Sequence, residues 1–233
     1  MGLFTDDSHE IIDKSSEENQ KIFDDHIKFY FNNKLYLKNH LWFGLPIIQS
    51  PFDLEIFQEI IWRLRPDNII ETGFGFGGSA VFFATLMESL DLPGKVYSTE
   101  MYWNIYEQTF KLASQNIPKK ILQRLVIKTG STSIGFRALD CIRNDCLGKN
   151  NLVILDSDHL WSYVLAEMLI YSEFVLPGVY MIVEDSILDP KKLDTKYPSW
   201  WEGPGKAIDY FLKLQPEGTW EVDRTCEKNF FTF

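Results

Sequence analysis

A chain of 233 residues, 45% hydrophobic and 15% aromatic, can bury one substantial core, and its length fits one domain better than two. Its formal charge of -10, from 33 acidic against 23 basic residues, repels polyanions. Nucleic acid and anionic membrane surfaces are therefore poor partners, and a small neutral or cationic substrate fits better.

The first fourteen residues are acidic, with no basic start followed by an apolar run, so they do not read as a secretory signal. Asp6 stands where a myristoylation pattern wants Ser or Thr. Residues 1–40 form a polar appendage interrupted by Phe23, Phe29, Tyr30, Phe31 and Tyr36, and the main domain runs over 41–233. Those aromatics could act as a lid over a site, but at helical spacing they more often pack on the host domain. A loop follows at Trp42 to Pro46. Ser50 is placed to cap a helix over 50–64, with Pro51 in its first turn, until Arg65-Pro66-Asp67 stops it.

An apolar strand at 68–71 leads through a glycine-rich turn into a helix over 79–90. Further strands are predicted at 95–99, 125–128, 152–155 and 180–183, alternating with helices over 104–115, 134–146 and 162–174. Leu152 to Leu155 shows no polar alternation, as a parallel strand buried on both faces should. Residues 204–213 read as one more helix, and 220–222 with 230–233 as a hairpin adding an antiparallel C-terminal edge. This β-α-β-α rhythm predicts an α/β fold: a doubly wound, mostly parallel sheet with helices on both faces. No stretch approaches the about 18 uninterrupted apolar residues of a spanning helix. Cys141, Cys146 and Cys226 cannot all pair within one chain and match no zinc spacing, so reduced thiols and a cytoplasmic location are expected. Whether the chain forms a homo-oligomer is open.

Glu71 to Gly78 contains G-x-G-x-x-G at Gly73, Gly75 and Gly78, placed between the first strand and a helix, where glycines permit a tight turn and close approach of a ligand. A nucleoside or nucleotide is implied. Glu71, ending the strand, would be an unhelpful neighbour for a pyrophosphate on the helix N-terminus, whereas a carboxylate suits the ammonium and sulfonium of S-adenosylmethionine. Glu100, ending the second strand, is where an acid accepts hydrogen bonds from ribose hydroxyls, which argues for adenosine without choosing between S-adenosylmethionine and NAD. Ser79 opens the helix, and Gly130-Ser131 lies where the adenine edge would rest.

Asp156, Asp158, Glu184 and Asp185 end the fourth and fifth strands and face one crevice, where they would repel one another unless protonated or neutralised by a cation. Oxygen ligands favour Mg²⁺, Mn²⁺ or Ca²⁺. Ordinary helix caps, or a carboxylate pair holding the cofactor without metal, are the alternatives. His159 follows at once and is the candidate catalytic base.

These residues carry a specific resemblance. Trp42-Phe43-Gly44, Gln49-Ser50-Pro51-Phe52-Asp53, Ile70-Glu71-Thr72-Gly73 with Gly77-Gly78-Ser79-Ala80, Asp156-Ser157-Asp158-His159, Glu184-Asp185 and Gly203-Pro204-Gly205 resemble the cephalosporin hydroxylase and rhamnosyl O-methyltransferase family from about residue 40 onward. The resemblance implies a Rossmann-like methyltransferase fold and a methyl donor in the glycine loop, with Asp156 at the cofactor. It also implies Mg²⁺ on Asp158, Glu184 and Asp185. A more distant similarity to catechol O-methyltransferases instead makes Asp156 the ligand and sets His159 at the base position. The expected activity is Mg²⁺-assisted methyl transfer to a hydroxyl of a small sugar or natural product. A non-catalytic cofactor-binding or assembly protein and an NAD-dependent oxidoreductase are the rivals. A hydroxylase built on a 2-His-1-carboxylate iron site is disfavoured, because His9, His26 and His40 all lie in the appendage. Phe74 and Phe76 are bulkier than this loop usually carries.

Overall fold

The structure, a computed structural model, describes residues 16–35, 40–187, 202–223 and 225. Helix α1 (Glu17–Asn32) starts at Ser16, whose Oγ accepts the Asn19 N–H, with Glu17 and Glu18 at its positive end. Phe23, Ile27 and Tyr30 make a stripe at spacings of four and three and are buried. The His26 ring meets the edge of Phe52, with centroids 6.4 Å apart, so α1 packs on the next helix of the chain.

Where a loop is predicted, the chain forms a two-residue hairpin, β1 (Leu41–Trp42) with β2 (Leu45–Pro46). Phe43 and Gly44 turn it with φ of 49° and 84°, the left-handed pair that suits the twist of a tight hairpin. Helix α2 (Pro51–Leu64) begins as the sequence predicts: the Ser50 Oγ accepts the Phe52 N–H and Pro51 sits in the first turn. Arg65, left-handed at φ 46°, ends it ahead of Pro66.

Then come β3 (Asn68–Thr72), α3 (Gly78–Ser89), β4 (Val96–Glu100), α4 (Trp103–Ser114), the short α5 (Lys119–Leu122) and β5 (Leu125–Thr129). They are followed by α6 (Phe136–Cys146), β6 (Asn151–Leu155), α7 (Trp161–Tyr171), β7 (Met181–Val183) and α8 (Pro204–Leu214). The sheet order is β5-β4-β3-β6-β7 and every pairing is parallel. Alternation of side chains sends Ile69, Leu152 and Ile154 into a core with α2 and α3, while Ile70, Val153 and Leu155 enter another with α6, α7 and α8. At the amino ends of β3 and β6, the buried Asn68 Nδ2 donates to Asn151 Oδ1 at 3.1 Å. Asn151 in turn donates to the carbonyls of Cys146, Lys149 and Phe174.

Predicted boundaries hold to within a few residues; the helix expected over 162–174 finishes as a separate 3-10 turn, Ser172–Phe174. The C-terminal antiparallel edge is not seen in the described part: Trp220, Glu221 and Val222 are irregular, the Trp220 ring packing on Phe211 at 5.3 Å. Residues 230–233, its other half, lie outside the described residues, as do 1–15 and the polar loop at 188–201. Among the described residues, no helix is long and apolar enough to cross a membrane.

Candidate functional site

From β3 the chain winds outward through β4 to β5, then returns to β6 on the other side, so the carboxyl ends of β3 and β6 flank the reversal. Crevices form at such reversals. A cavity of about 340 Å³ opens there, lined by Gly73, Gly75, Gly78, Ser79, Glu100, Asp156, Asp158, His159 and Asp185 among others. The glycine loop, the acid ending β4, and Asp156, Asp158, His159 and Asp185 after β6 and β7 thus border one cavity.

Glycine is demanded by different constraints along the loop. A Cβ on Gly73 would lie 2.0 Å from the Asp156 carbonyl oxygen and 2.9 Å from Ser157 Cα, and one on Gly78 would lie 2.2 Å from the Pro46 carbonyl oxygen. Gly75 has φ of 52° with nothing within 4 Å of an added Cβ, so its backbone borders open space. Phe74 is buried, its ring set against Trp103 and Phe110 at centroid distances of 5.6 and 5.1 Å, so its bulk belongs to the core. Phe76 lines the cavity.

Glu100 accepts the Gly75 N–H on Oε2 at 2.9 Å and the Tyr102 N–H on Oε1 at 2.6 Å. A carboxylate has about four acceptor positions, so it keeps capacity for two more donors from a ligand. Glu71 is placed differently from the expectation of direct ligand contact. It lies behind the loop, outside the cavity lining and 1% exposed, and accepts the hydroxyls of Ser79 and, at 2.6 Å, Ser98. Burial raises its pKa to about 8 against those two hydrogen bonds, with the Asp156 and Glu100 charges adding to the rise. Ser131 is outside the lining and its hydroxyl donates to the Thr132 carbonyl at 3.1 Å, while Thr132 and Ser133 line the wall.

At the other wall, Asp156, His159 and Asp185 bring one ligand atom each to within 4.8 Å of one another. His159 Nε2 lies 2.8 Å from Asp185 Oδ2 and 3.5 Å from Asp156 Oδ1, yet it is buried without a well-aligned hydrogen bond. Such an atom between two carboxylates fits a divalent cation, whose ligands need no N–H line. Burial works against a charged His159, but Asp185 and then Asp156 outweigh it and raise its pKa well above the ordinary value. Burial lifts Asp156 to about 6, although His159 and the Gln49 amide pull the other way. Asp185 holds a left-handed backbone, φ 54°, which aspartate tolerates better than most residues.

Asp158 and Glu184 stand outside this group. The Asp158 Oδ1 accepts the Leu160 N–H at 2.8 Å at the start of α7. Glu184 is buried and lines a second cavity with Asp53; burial, then the charges of Asp156, Asp53 and Asp185, raise its pKa well above normal. Gln49, whose Nε2 donates to Asp156 Oδ2 at 2.7 Å, was not singled out from the sequence, since an amide ahead of a helix cap carries no periodic signal. Tyr163, on the cavity wall with its hydroxyl 2.9 Å from Ser133 Oγ, was also missed. Glu167 did leave a signal, being the one acid in the apolar run of α7.

The sequence profile of the family described as Rhamnosyl O-methyltransferase/CmcI matches residues 34–233. A rhamnosyl O-methyltransferase of Mycobacterium leprae (strain TN) is 32% identical over 214 residues, covering 91% of this chain and 87% of that protein. A solved CmcI structure with Mg and SAM superposes with a TM-score of 0.50 at 20% identity, over 65% of this chain and 59% of that one. A putative caffeoyl-CoA O-methyltransferase from Staphylococcus aureus superposes with a TM-score of 0.53 at 17% identity, over 82% and 81%. The two structural likenesses bear on the fold alone.

Proposed function

The chain belongs to the Rhamnosyl O-methyltransferase/CmcI family, and from that premise we infer that it is an S-adenosylmethionine-dependent O-methyltransferase acting on a hydroxyl of a small molecule, a sugar or a natural product. The observation that carries this reading is the single cavity in which the glycine loop, Glu100 and the Asp156–His159–Asp185 group face one another. When bound, S-adenosylmethionine supplies the sulfonium methyl, and Mg²⁺ lowers the pKa of the acceptor hydroxyl and holds it in line.

The chain's own groups divide the remaining work. Gly75 lets the donor approach the backbone while Gly73 and Gly78 close the loop against Asp156 and Pro46, Ser79 opens α3 beneath it, and Glu100 accepts the ribose hydroxyls on its remaining lone pairs. Glu71 shapes the loop from behind through Ser79 and Ser98. The wall at Thr132 and Ser133, just beyond Ser131, faces adenine, and Asp156 borders the donor. Where the cation sits on Asp158, Glu184 and Asp185, His159 Nε2 takes the acceptor's proton; as a ligand in the clustered arrangement with Asp156 and Asp185 it would not. Asp185 is the fixed cation ligand; the resemblance adds Asp158 and Glu184, and the clustered atoms favour Asp156 beside His159 as a second arrangement. The free thiols of Cys141 and Cys146 suit a reducing cytoplasm.

Calorimetry with S-adenosylmethionine and NAD⁺ side by side, with and without Mg²⁺, tests the assignment. S-adenosylmethionine should bind and NAD⁺ should not. Preference for NAD⁺ overturns it.

A further inference from the structure

Beyond Ser162 in its first turn, helix α7 is polar only along one stripe, Tyr163, Glu167 and Tyr171, spaced four residues apart and therefore on one face. Each member of the stripe holds a loop of the cavity wall. The Tyr163 hydroxyl pairs with Ser133 Oγ at 2.9 Å, and the Tyr171 hydroxyl donates to the Ser133 carbonyl at 2.8 Å. Between them Glu167, 0% exposed, accepts the Ser157 hydroxyl on Oε1 at 2.7 Å, and its Oε2 lacks a well-aligned partner. An acid buried this deeply is destabilising on its own, so it marks a place where something other than packing is served.

Ser157 is a junction. It stands between Asp156 and Asp158 in the turn after β6, it lines the cavity, and its Cα lies so close to Gly73 that only a glycine fits opposite. The hydroxyl grip of Glu167 thus fixes the backbone from which Asp156 and His159 project, and fixes it against the glycine loop. We propose that Glu167 is a positioning residue for methyl transfer: through Ser157 it sets the turn that carries Asp156 and His159, and the α7 tyrosines tie the Ser133 wall to the same helix. The inference rests on the cofactor and cation reading above. Groups that orient metal ligands from behind are typically worth about 10- to 100-fold in metal affinity or activity.

The test is Mn²⁺ affinity, followed by electron paramagnetic resonance in the presence of S-adenosylhomocysteine, together with the melting temperature, for Glu167→Ala, Glu167→Gln, Ser157→Ala and the Glu167→Ala/Ser157→Ala pair. Glu167→Ala should weaken Mn²⁺ binding about 10-fold or more. Glu167→Gln, whose amide oxygen can still accept from Ser157, should restore it to within about threefold of wild type. The double variant should be no weaker than the worse single one, since both break the same contact. A residue needed only for packing would lower the melting temperature and leave Mn²⁺ affinity alone, and that outcome overturns the proposal. If Glu167→Ala does not fold, Ser157→Ala carries the same expected loss, and wild-type affinity there overturns it equally. A wild-type protein that binds neither S-adenosylhomocysteine nor Mn²⁺ removes the functional reading itself; one that binds both while the variants match it removes only the role of Glu167.

Discussion

Glu71 shows how a residue's place in the chain can be legible while the direction of its side chain is not. Its place at the end of an apolar strand ahead of the glycines was legible, and the inference that its charge faces the ligand followed from the strand's direction. Strand alternation does not say whether an end residue looks into the crevice or behind the loop, and here Ser79 and Ser98 draw it behind. The consequence can be measured. With a folded pKa of about 8 against 4.5 for the exposed group, the folded state binds the extra proton between those values. The stability this contributes is full below the unfolded pKa and is lost as pH rises through the folded one. Glu71→Gln should flatten the fall in unfolding free energy of the ligand-free protein from about pH 5 to 8, by an amount on the order of a few kcal/mol. Parallel curves for wild type and variant would show that Glu71 is charged throughout.

At the scale of elements, the strand–loop–helix units were readable because period and punctuation agree: Ser50 with Pro51 opens α2, Arg65 ahead of Pro66 closes it, and β6 is apolar at every position after Asn151. The 41–46 hairpin was not, because its turn is Phe43-Gly44 and only glycine of that pair announces a left-handed backbone. The candidate cation group was legible as to strand ends but not as to members, since rotamers and caps decide which of Asp156, Asp158, Glu184 and Asp185 converge. The loop after β3 separates two kinds of glycine. Gly75→Val should keep the fold, at roughly 1–2 kcal/mol for a branched residue in a left-handed backbone, and abolish S-adenosylmethionine binding by filling the cavity edge. Gly73→Val should instead lose the fold or its cooperativity, because its Cβ would strike the backbone of Asp156. Unchanged calorimetric affinity in Gly75→Val would remove this loop from the binding site.

Across the whole molecule, the acids at the ends of β6 and β7 repel one another in the apo protein, so a cation that neutralises them should stabilise the folded state. At a concentration 100 times its Kd, Mg²⁺ adds about 2.7 kcal/mol, or roughly 5–10 °C in melting temperature for a domain of this size. A chelator should remove that increment and added Mg²⁺ restore it. Asp185→Asn should erase the response in either ligand arrangement; Asp158→Asn erases it only for the set implied by the resemblance, and Asp156→Asn only for the clustered one. A melting temperature indifferent to both chelator and Mg²⁺ would rule out the cation.

The buried pair Asn68 and Asn151 has a consequence at the opposite end of the sheet. Strands that are apolar on both faces slide past one another with little penalty, since any register buries hydrophobic side chains. The amide contact at the amino ends of β3 and β6 acts as a datum that admits one alignment, Asn68 beside Asn151, and carries it along to Thr72 beside Leu155. A slip of one residue would displace one loop against the other by about 3.3 Å and turn every side chain to the wrong face. The meeting of Gly73 with Asp156 is thus decided about 16 Å away, five residues back along the strands, by a pair of amides outside the cavity lining.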